Sequence, residues 1–342
     1  MNVLRLSNNA TSILLLVLFS GSSVACATPD ASLNPERWAF SWSDEFDYTG
    51  KPNPEIWDYD YGYLGFNEEL QNYTDQSKNV RVENGALVIE ARLDVVSAKR
   101  SKEVVLELKG FNTDASILGN KEFTSARLVT RGKKEFVHAR VEARARFTKG
   151  RGSWPAIWLL GDETDDLWPI CGEMDIMEHV GYDPNHVHSA VHTKHSNFMN
   201  HINVKDSVIL PDVWAEFHTY AVEWNVGEIR FFIDDICYHV VPKGERTDDD
   251  WPFTEDDLYY LILNIAVGGS WGGIEGIDVE SYPQQMIVDY VRVFERKLIF
   301  ATSIFQIRQV VKLTIRFQSV TILPIRDGLD IQAFGRGGYA LV

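Results

Sequence analysis

The sequence predicts an all-β sandwich, and three observations support this prediction. Between Trp38 and Phe294, short apolar or alternating runs recur and are separated by Gly, Asn, Asp and Pro, as is typical of strands joined by turns. The period of two is clear over residues 141–146, which indicates a strand with one solvated face. No helix-length periodic segment competes with these runs.

The individual elements follow from the same pattern. Asp234 and Asp235 stand between two β-rich runs, where we expect a hairpin turn. Residues 94–121 are charged and weakly patterned, and they predict a long loop or hairpin. The strand candidates, in chain order, are residues 86–91, 137–146, 229–233, 259–267 and 286–294.

The chain divides into three segments that differ in composition and in hydropathy pattern. Residues 1–27 resemble a signal peptide, with Arg5, an apolar run over 13–19 and small residues before Ala27. The run is shorter than the ~20 residues that span a membrane, so we expect a secreted or periplasmic protein. Lipoprotein anchoring through Cys26 is the less favoured alternative, because Ser23 lacks the expected bulk. Residues 28–296 form one predicted domain, and the basic tail 297–342 is expected to contribute nothing to chemistry.

Composition excludes several classes of protein. The 342 residues have a formal net charge of −16, which disfavours a surface that binds nucleic-acid phosphates. Three cysteines cannot make a disulfide framework. The ten tryptophans and thirteen tyrosines exceed what a core needs and indicate exposed stacking platforms.

Three acidic residues, Glu173, Asp175 and Glu178, lie close together in an otherwise apolar run. A buried cluster of like charges raises carboxyl pKa values and destabilises a fold, so function usually explains its presence. Strand side chains alternate, so Glu173 and Asp175 share a face while Glu178 would point away. We predict a β-bulge between Asp175 and Glu178 that returns Glu178 to the common face and leaves Met174 and Ile176 facing the core.

Two facing carboxyl groups suit glycosidic-bond cleavage, since one can attack the sugar carbon while the other protonates the departing oxygen. A third acid between them can hydrogen-bond the nucleophile and help to keep its neighbour protonated. Side chains this close on one strand should lie near the ~5–5.5 Å separation of retaining enzymes. A solvated polar face is the alternative, but the apolar neighbours Ile170, Met177 and Val180 disfavour it.

Residues 173–178 resemble the Glu-x-Asp-x-x-Glu signature of glycoside hydrolase family 16, in its bulged, laminarinase-like form. The resemblance extends over residues 40–295. Further segments resemble the family in the same order, namely residues 42–46, 67–74, 124–128, 152–161, 261–264 and 288–293.

The resemblance implies a jelly-roll sandwich of two antiparallel sheets with a concave substrate groove. It also implies endo-cleavage of β-1,3-linked glucans with retention of configuration. Carried over by position, Glu173 would be the nucleophile, Asp175 the helper and Glu178 the general acid/base. The residues implied to bind substrate are Asn67, Glu69, Arg127, Trp154, Trp158, His192 and Trp271.

One segment departs from the family. The commoner Trp-Gly-Asn-Asn-Glu pattern appears here as residues 64–69, which begin with Leu64 and lack the tryptophan. This difference leaves the linkage preference open. We expect Trp168 and Trp224 to lie in the core.

Catalysis by two carboxyl groups requires no cofactor. Five histidines between 186 and 201 are a weak metal signal, because zinc needs converging ligands. Some family members hold a structural calcium through an aspartate that matches Asp289, so Asp289 is a candidate ligand and equally a candidate edge residue. Cys171 and Cys237 could pair after export or remain thiols.

The sequence therefore predicts a secreted, monomeric, retaining endo-β-1,3-glucanase whose partner is a neutral β-glucan and no nucleic acid. Three alternatives remain open. They are a mixed-linkage β-1,3-1,4-glucanase, a hydrolase of another polysaccharide, and a non-catalytic glucan-binding protein of the same fold.

Overall fold

The computed structural model describes residues 38–109, 118–162 and 166–296. The predicted leader 1–27 and tail 297–342 lie outside the described residues. Besides one α-helix, α1 (Ala98–Leu108), and two short 3₁₀ turns (Asp248–Asp250 and Val279–Ser281), the regular elements are strands. In chain order these are β1 (Trp38–Asp44), β2 (Asp58–Asp60), β3 (Gln71–Tyr73), β4 (Val80–Glu83), β5 (Ala86–Val95), β6 (Lys121–Ser125), β7 (Arg127–Val129), β8 (Glu135–Phe136), β9 (Ala139–Phe147), β10 (Ser153–Gly161), β11 (Glu173–Glu178), β12 (His186–His192), β13 (Val204–Ile209), β14 (His218–Asn225), β15 (Glu228–Ile233), β16 (Ile236–Pro242), β17 (Tyr259–Val267) and β18 (Gln284–Arg296).

The strands form two sheets, as the sequence predicts. The first has ten strands in the order β16-β15-β14-β9-β18-β5-β6-β3, with β1 added on β18 and β4 on β5. The second has eight strands in the order β13-β12-β11-β10-β17-β7-β2, with β8 added on β17. Among the strands of the described residues, pairing is antiparallel except between β3 and β6. Strand β11, which contains the three acids, lies inside the second sheet with partners on both sides.

The core lies between the sheets and follows the alternation of the sequence. In β9, Val141, Ala143 and Ala145 are fully buried in the core, whereas Arg144 and Arg146, which alternate with them, are only partly buried. In β10, Ile157 and Leu159 enter the same core while Trp158 between them remains partly exposed. In these stretches one face of the strand therefore packs into the core and the other faces outward.

The turn at Asp234–Asp235 confirms the predicted hairpin between β15 and β16. Both aspartates have positive φ values, 47° and 67°. A two-residue hairpin turn of this kind needs positive φ at both central positions, and short acidic side chains tolerate that conformation.

The helix α1 (Ala98–Leu108) corrects part of the expectation of a loop or hairpin over 94–121; residues 110–117 of that stretch lie outside the described residues. Ser97 accepts a hydrogen bond from the backbone N–H of Arg100 and caps the helix. Val104 and Leu108, four positions apart, are its buried residues. Arg100 donates two hydrogen bonds to Glu122 of β6, at 3.1 and 2.6 Å. The sequence does not predict this helix, because only two of its apolar side chains face inward and most of the others are charged.

Within the described residues, no helix has both the length and the apolar character needed to cross a membrane. The domain boundaries at 27 and 296 remain predictions.

Candidate active site

A β-bulge places the three acids on one face, as the sequence predicts. The pairing of β11 with β12 shifts register between Asp175 and Glu178. On the other side, Ile157 of β10 pairs with Met177 but Trp158 pairs with Asp175, which leaves Ile176 as the extra residue. Because opposite residues of an antiparallel pair share a face, this shift brings Glu178 to the same side as Asp175.

The common face points away from the core. Glu173, Asp175 and Glu178 lie opposite Leu160, Trp158 and Ala156 of β10 and opposite His192, Ala190 and His188 of β12. Between them, Met174, Ile176 and Met177 are fully buried in the core. This outward side of the second sheet is called the acid face below.

Glu173, Asp175 and His192 converge at one end of the acid face. Nε2 of His192 is 3.3 Å from Oδ2 of Asp175 and 3.7 Å from Oε1 of Glu173. The ligating atoms of the three side chains lie within 4.8 Å of one another. Burial penalises the charged forms of Glu173 and Asp175, and the repulsion between the two carboxylates adds to the penalty on Glu173.

The electrostatics of the three carboxyls follow from burial and repulsion. Burial raises the pKa of Asp175 to about 7 and the pKa of Glu178 to about 8, and the charge of Asp175 adds to the effect on Glu178. The pKa of Glu173 is well above its ordinary value, first because of burial and then because of Asp175. A hydrogen bond with Glu173 lowers the pKa of Asp175. The cluster therefore retains protons at neutral pH.

Glu178 lies at the other end of the acid face, beside two tryptophans. The indole N–H of Trp154 donates a 2.9 Å hydrogen bond to Oε1 of Glu178. The ring of Trp271 meets that of Trp154 edge-on, with centroids 5.2 Å apart, and meets His188 in the same way at 5.1 Å. Trp154, Trp271 and His192, all expected from the resemblance, thus surround the acids.

Two further residues predicted to bind substrate, Trp158 and Arg127, lie on the side of Asp175 that faces β10. Trp158 donates a 2.7 Å hydrogen bond to Oδ1 of Asn264. The guanidinium of Arg127 stacks over the Trp158 ring, 4.7 Å from its centre, and Nε of Arg127 is 3.0 Å from Oδ2 of Asp60. This stack fixes the orientation of Trp158 next to Asp175.

Asn67 and Glu69 come from the segment before β3. Glu69 accepts hydrogen bonds from Asn67, at 3.3 Å, and from Gln71, at 2.7 Å. The backbone N–H of Ser270, next to Trp271, donates to the carbonyl of Asn67 at 2.7 Å. Asn67 adopts a positive φ of 51°. The loop is therefore joined to the segment that contains Trp271.

The structure corrects the expected place of Trp168. Trp224 is in the core as expected, but Trp168 is only partly buried. Its ring lies 6.3 Å from that of His192, and it lowers the pKa of Glu173. Trp168 stands five residues before Glu173 and follows a weakly patterned stretch. The sequence alone therefore does not show whether this tryptophan lies in the core or beside the acids.

The surroundings of Asp289 do not fit a calcium ion. Its Oδ2 accepts a 2.6 Å hydrogen bond from Arg144 on the neighbouring strand, so a guanidinium already supplies the positive charge that a cation would bring. Calcium prefers several oxygen ligands and no cationic neighbour. The residues present here therefore argue against a metal at Asp289.

Cys171 and Cys237 are not joined by a disulfide in the described part of the chain. Cys171 is buried just before Glu173, and its carbonyl accepts a 3.0 Å hydrogen bond from the hydroxyl of Tyr259. Its backbone thus helps to fix the start of β11.

Comparison with known proteins adds to this geometry. A beta-glucanase of Rhodothermus marinus is 44% identical over 294 residues, which is 83% of this chain and 93% of that protein. The solved structure of the laminarinase from Rhodothermus marinus superposes with a TM-score of 0.66 at 44% identity, covering 76% of this chain and 98% of that one. A variant of a non-specific endo-β-1,3(4)-glucanase, co-crystallised with 1,3-β-D-cellotriosyl-glucose, has a TM-score of 0.65 at 36% identity and covers 75% and 95% of the two chains.

The sequence model described as glycosyl hydrolases family 16 matches residues 69–292. This range includes the bulged strand, both tryptophans of β10 and His192, and it spans more than half of the chain. The two sheets are those of the laminarinases with which the chain superposes. The protein is therefore a glycoside hydrolase that belongs to glycosyl hydrolases family 16.

Proposed function

We propose that this protein is a retaining endo-β-1,3-glucanase that cleaves laminarin-type glucans by double displacement. The observation on which the proposal rests is the bulge that brings Glu173, Asp175 and Glu178 to one outward face. The names of the similar proteins, a beta-glucanase and a laminarinase, support the same substrate class.

In the first displacement, the carboxylate of Glu173 attacks the anomeric carbon and the glycosidic C–O bond breaks. The proton of Glu178 passes to the departing oxygen. In the second, the Glu178 carboxylate takes a proton from water, whose oxygen attacks the same carbon and releases Glu173. Each displacement inverts the anomeric carbon, so the product retains its configuration.

The raised pKa values suit these roles. With a pKa of about 8, Glu178 holds a proton at neutral pH and can serve as the acid. Glu173 must be ionised to attack, and His192 and a hydrogen bond from Trp168 lower its pKa, in opposition to burial and to the charge of Asp175, which raise it. Asp175 shares a hydrogen bond with Glu173 and thereby orients the nucleophile.

The remaining polar and aromatic groups suit a neutral sugar. Trp154, Trp158 and Trp271 present partly exposed rings, and ring faces stack well on the C–H surfaces of a pyranose. The carboxyls and the overall negative charge disfavour a sulfated polymer.

A mixed-linkage glucan is a second candidate substrate. The similar protein at 36% identity is a non-specific endo-β-1,3(4)-glucanase. A non-catalytic glucan-binding role is disfavoured, because a binder gains nothing from three clustered carboxyls whose raised pKa values destabilise its fold at neutral pH.

We further propose that residues 1–27 direct export, that the protein acts as a monomer and that catalysis needs no cofactor. Export is supported by the apolar run and the small residues before position 28. The absence of a cofactor requirement follows from the mechanism, since both proton transfers use carboxyl groups of the chain.

The test is a parallel digestion of laminarin, lichenan, agarose and carrageenan, with the products separated by size. We expect a ladder of oligosaccharides from laminarin, and the β-anomer as the first product seen by NMR. Release of glucose alone, or cleavage of agarose or carrageenan instead of laminarin, would contradict the proposal. Glu173→Gln should fold like the wild type, as circular dichroism can check, and should release no products; near-normal activity would refute its role.

A further inference from the structure

The register between β11 and β12 brings three side chains that can ligate a metal to one point. His192 lies directly opposite Glu173, and Asp175 lies two residues further along the same face. In the described part of the chain, this is the one place where three side chains of His, Cys, Asp or Glu bring ligating atoms within 4.8 Å of one another. The proposed mechanism uses the two carboxyls and gives the imidazole no proton transfer.

The distances among these atoms fit a small divalent ion. Ligands at the corners of a tetrahedron, each about 2.0–2.1 Å from zinc, lie about 3.3 Å apart. Nε2 of His192 is 3.3 Å from Oδ2 of Asp175 and 3.7 Å from Oε1 of Glu173. Small side-chain rotations would therefore bring all three atoms to the distances that zinc requires.

Two buried atoms of this group make no hydrogen bond to any described residue. Oδ2 of Asp175 is one of them, although only 4% of the side chain is exposed. A buried oxygen in this state is unfavourable unless a proton, a water molecule or an ion compensates it. Nδ1 of His192 is the other. The proton of the neutral imidazole can therefore lie on Nδ1 and leave the lone pair of Nε2 for an ion.

The charges around the group favour a cation. Within the described residues, the one basic side chain that pairs with Glu173 or Asp175 is His192, and no lysine or arginine does so. Asp289 differs, because Arg144 already lies against it. The side chain of Glu173 is 16% exposed, so an ion can reach the group from the outward side. An imidazole ligand favours zinc or copper over calcium and magnesium.

We infer that Glu173, Asp175 and His192 form a binding site for a zinc or copper ion, and that the bound ion inhibits the enzyme. Each side chain donates one lone pair to the ion, a water molecule completes the coordination, and protons held by the two carboxyls pass to the solvent. The ion occupies the oxygen with which Glu173 would attack the anomeric carbon, so the first displacement cannot begin. The inhibition, though not the site itself, rests on the proposed function.

The test titrates the metal-free, full-length protein with zinc chloride by calorimetry at neutral pH. We expect one zinc ion per chain at this site. His192→Ala and Asp175→Asn should each weaken zinc binding by at least about 10- to 100-fold, the loss that even a supporting residue of a metal site causes. Cobalt(II), used in place of zinc, should give the visible absorption of a tetrahedral ion in the wild type and not in these variants. Circular dichroism checks that the variants fold.

Hydrolysis of laminarin is measured over the same zinc concentrations. Activity should be lost with a half-inhibitory concentration that matches the Kd from calorimetry, and a chelator should restore it. Saturation of the site without loss of hydrolysis would overturn the inhibition.

His186→Ala is the matched control. Nδ1 of His186 lies 2.7 Å from Oδ1 of Asp183, but within the described residues no third ligand joins this pair. The variant should bind zinc like the wild type. Equal zinc affinity of the wild type and His192→Ala, or loss of binding in His186→Ala instead, would overturn the site. If zinc binds as expected but the metal-free protein does not cleave laminarin, the site is confirmed and the proposed function fails.

Discussion

The indole nitrogen of Trp154 and the carboxyl oxygen Oε1 of Glu178 are joined by a 2.9 Å hydrogen bond. The bond lowers the pKa of Glu178, in opposition to burial and to the charge of Asp175, which raise it. Trp154 therefore does more than offer a ring to the sugar, because its N–H adjusts the proton affinity of the proposed general acid.

Trp154→Phe should raise the pKa of Glu178 further, because the ring remains but the donor is lost. The limb of the pH profile on which the acid loses its proton should move to higher pH, with kcat/KM measured from pH 4 to 10 on laminarin. A loss of activity with no movement of this limb would indicate that Trp154 only binds substrate.

Trp158→Phe is the control for this prediction. The Trp158 indole donates to Asn264 and not to a carboxyl group. The variant can change KM, because the ring is smaller. The pH at which kcat/KM falls as Glu178 loses its proton should equal that of the wild type within error.

Glu178→Gln should separate acid catalysis from nucleophilic attack. Without the proton donor, hydrolysis of laminarin should fall by about 10²- to 10⁴-fold. Aryl β-glucosides whose phenol leaves without protonation should lose far less in the first step, so a burst of phenol should remain. Glu173→Gln, which lacks the nucleophile, should show no burst; a burst from that variant would reverse the two assignments.

Much of this site could be predicted from the sequence because it depends on strand alternation. The spacing of Glu173, Asp175 and Glu178 is compatible with one face only if a residue is inserted, and the structure has Ile176 as that residue. The turn at Asp234–Asp235 and the strand runs follow from the same local rules. The roles of the three acids remain predictions.

The parts that the sequence did not reveal depend on contacts between distant segments. The helix α1 has few inward apolar side chains, and it is held in place by the hydrogen bond from Arg100 to Glu122 of β6. Trp168 and Phe198 meet only because two loops converge beside His192. Burial of a tryptophan next to an acid cannot be distinguished from burial in the core by residue type alone.

Calcium should leave the stability of this protein unchanged. The Arg144 guanidinium holds the Asp289 carboxylate at 2.6 Å, and a cation would have to displace it. We expect the same Tm in calcium chloride and in a chelator, measured by differential scanning calorimetry at constant ionic strength. A rise in Tm with calcium that disappears in Asp289→Asn would contradict this expectation.

The acid cluster should make the protein less stable as the pH rises. Asp175 and Glu178 have pKa values of about 7 and 8 in the folded protein, above their ordinary values of 3.8 and 4.5. Between these limits the unfolded chain has released protons that the folded chain still holds, so stability is largest below the ordinary pKa and falls as the pH rises through the folded one. His179 and His188, whose pKa values burial lowers to about 4, act in the opposite direction below neutral pH.

Comparison with Glu178→Gln isolates the contribution of one carboxyl from these opposing effects. The amide keeps the acceptor for Trp154 but cannot ionise, so the variant should match the wild type at pH 4.5 and exceed its Tm at pH 8. An increase of at least about 2–4 °C corresponds to 1 kcal/mol in a domain of this size. Glu245→Gln, at an exposed position, should show no such trend. If the Tm of Glu178→Gln differs from that of the wild type by the same amount at every pH in this range, Glu178 is ionised in the folded state. It would then have no proton to donate, and the proposed role as general acid would be wrong.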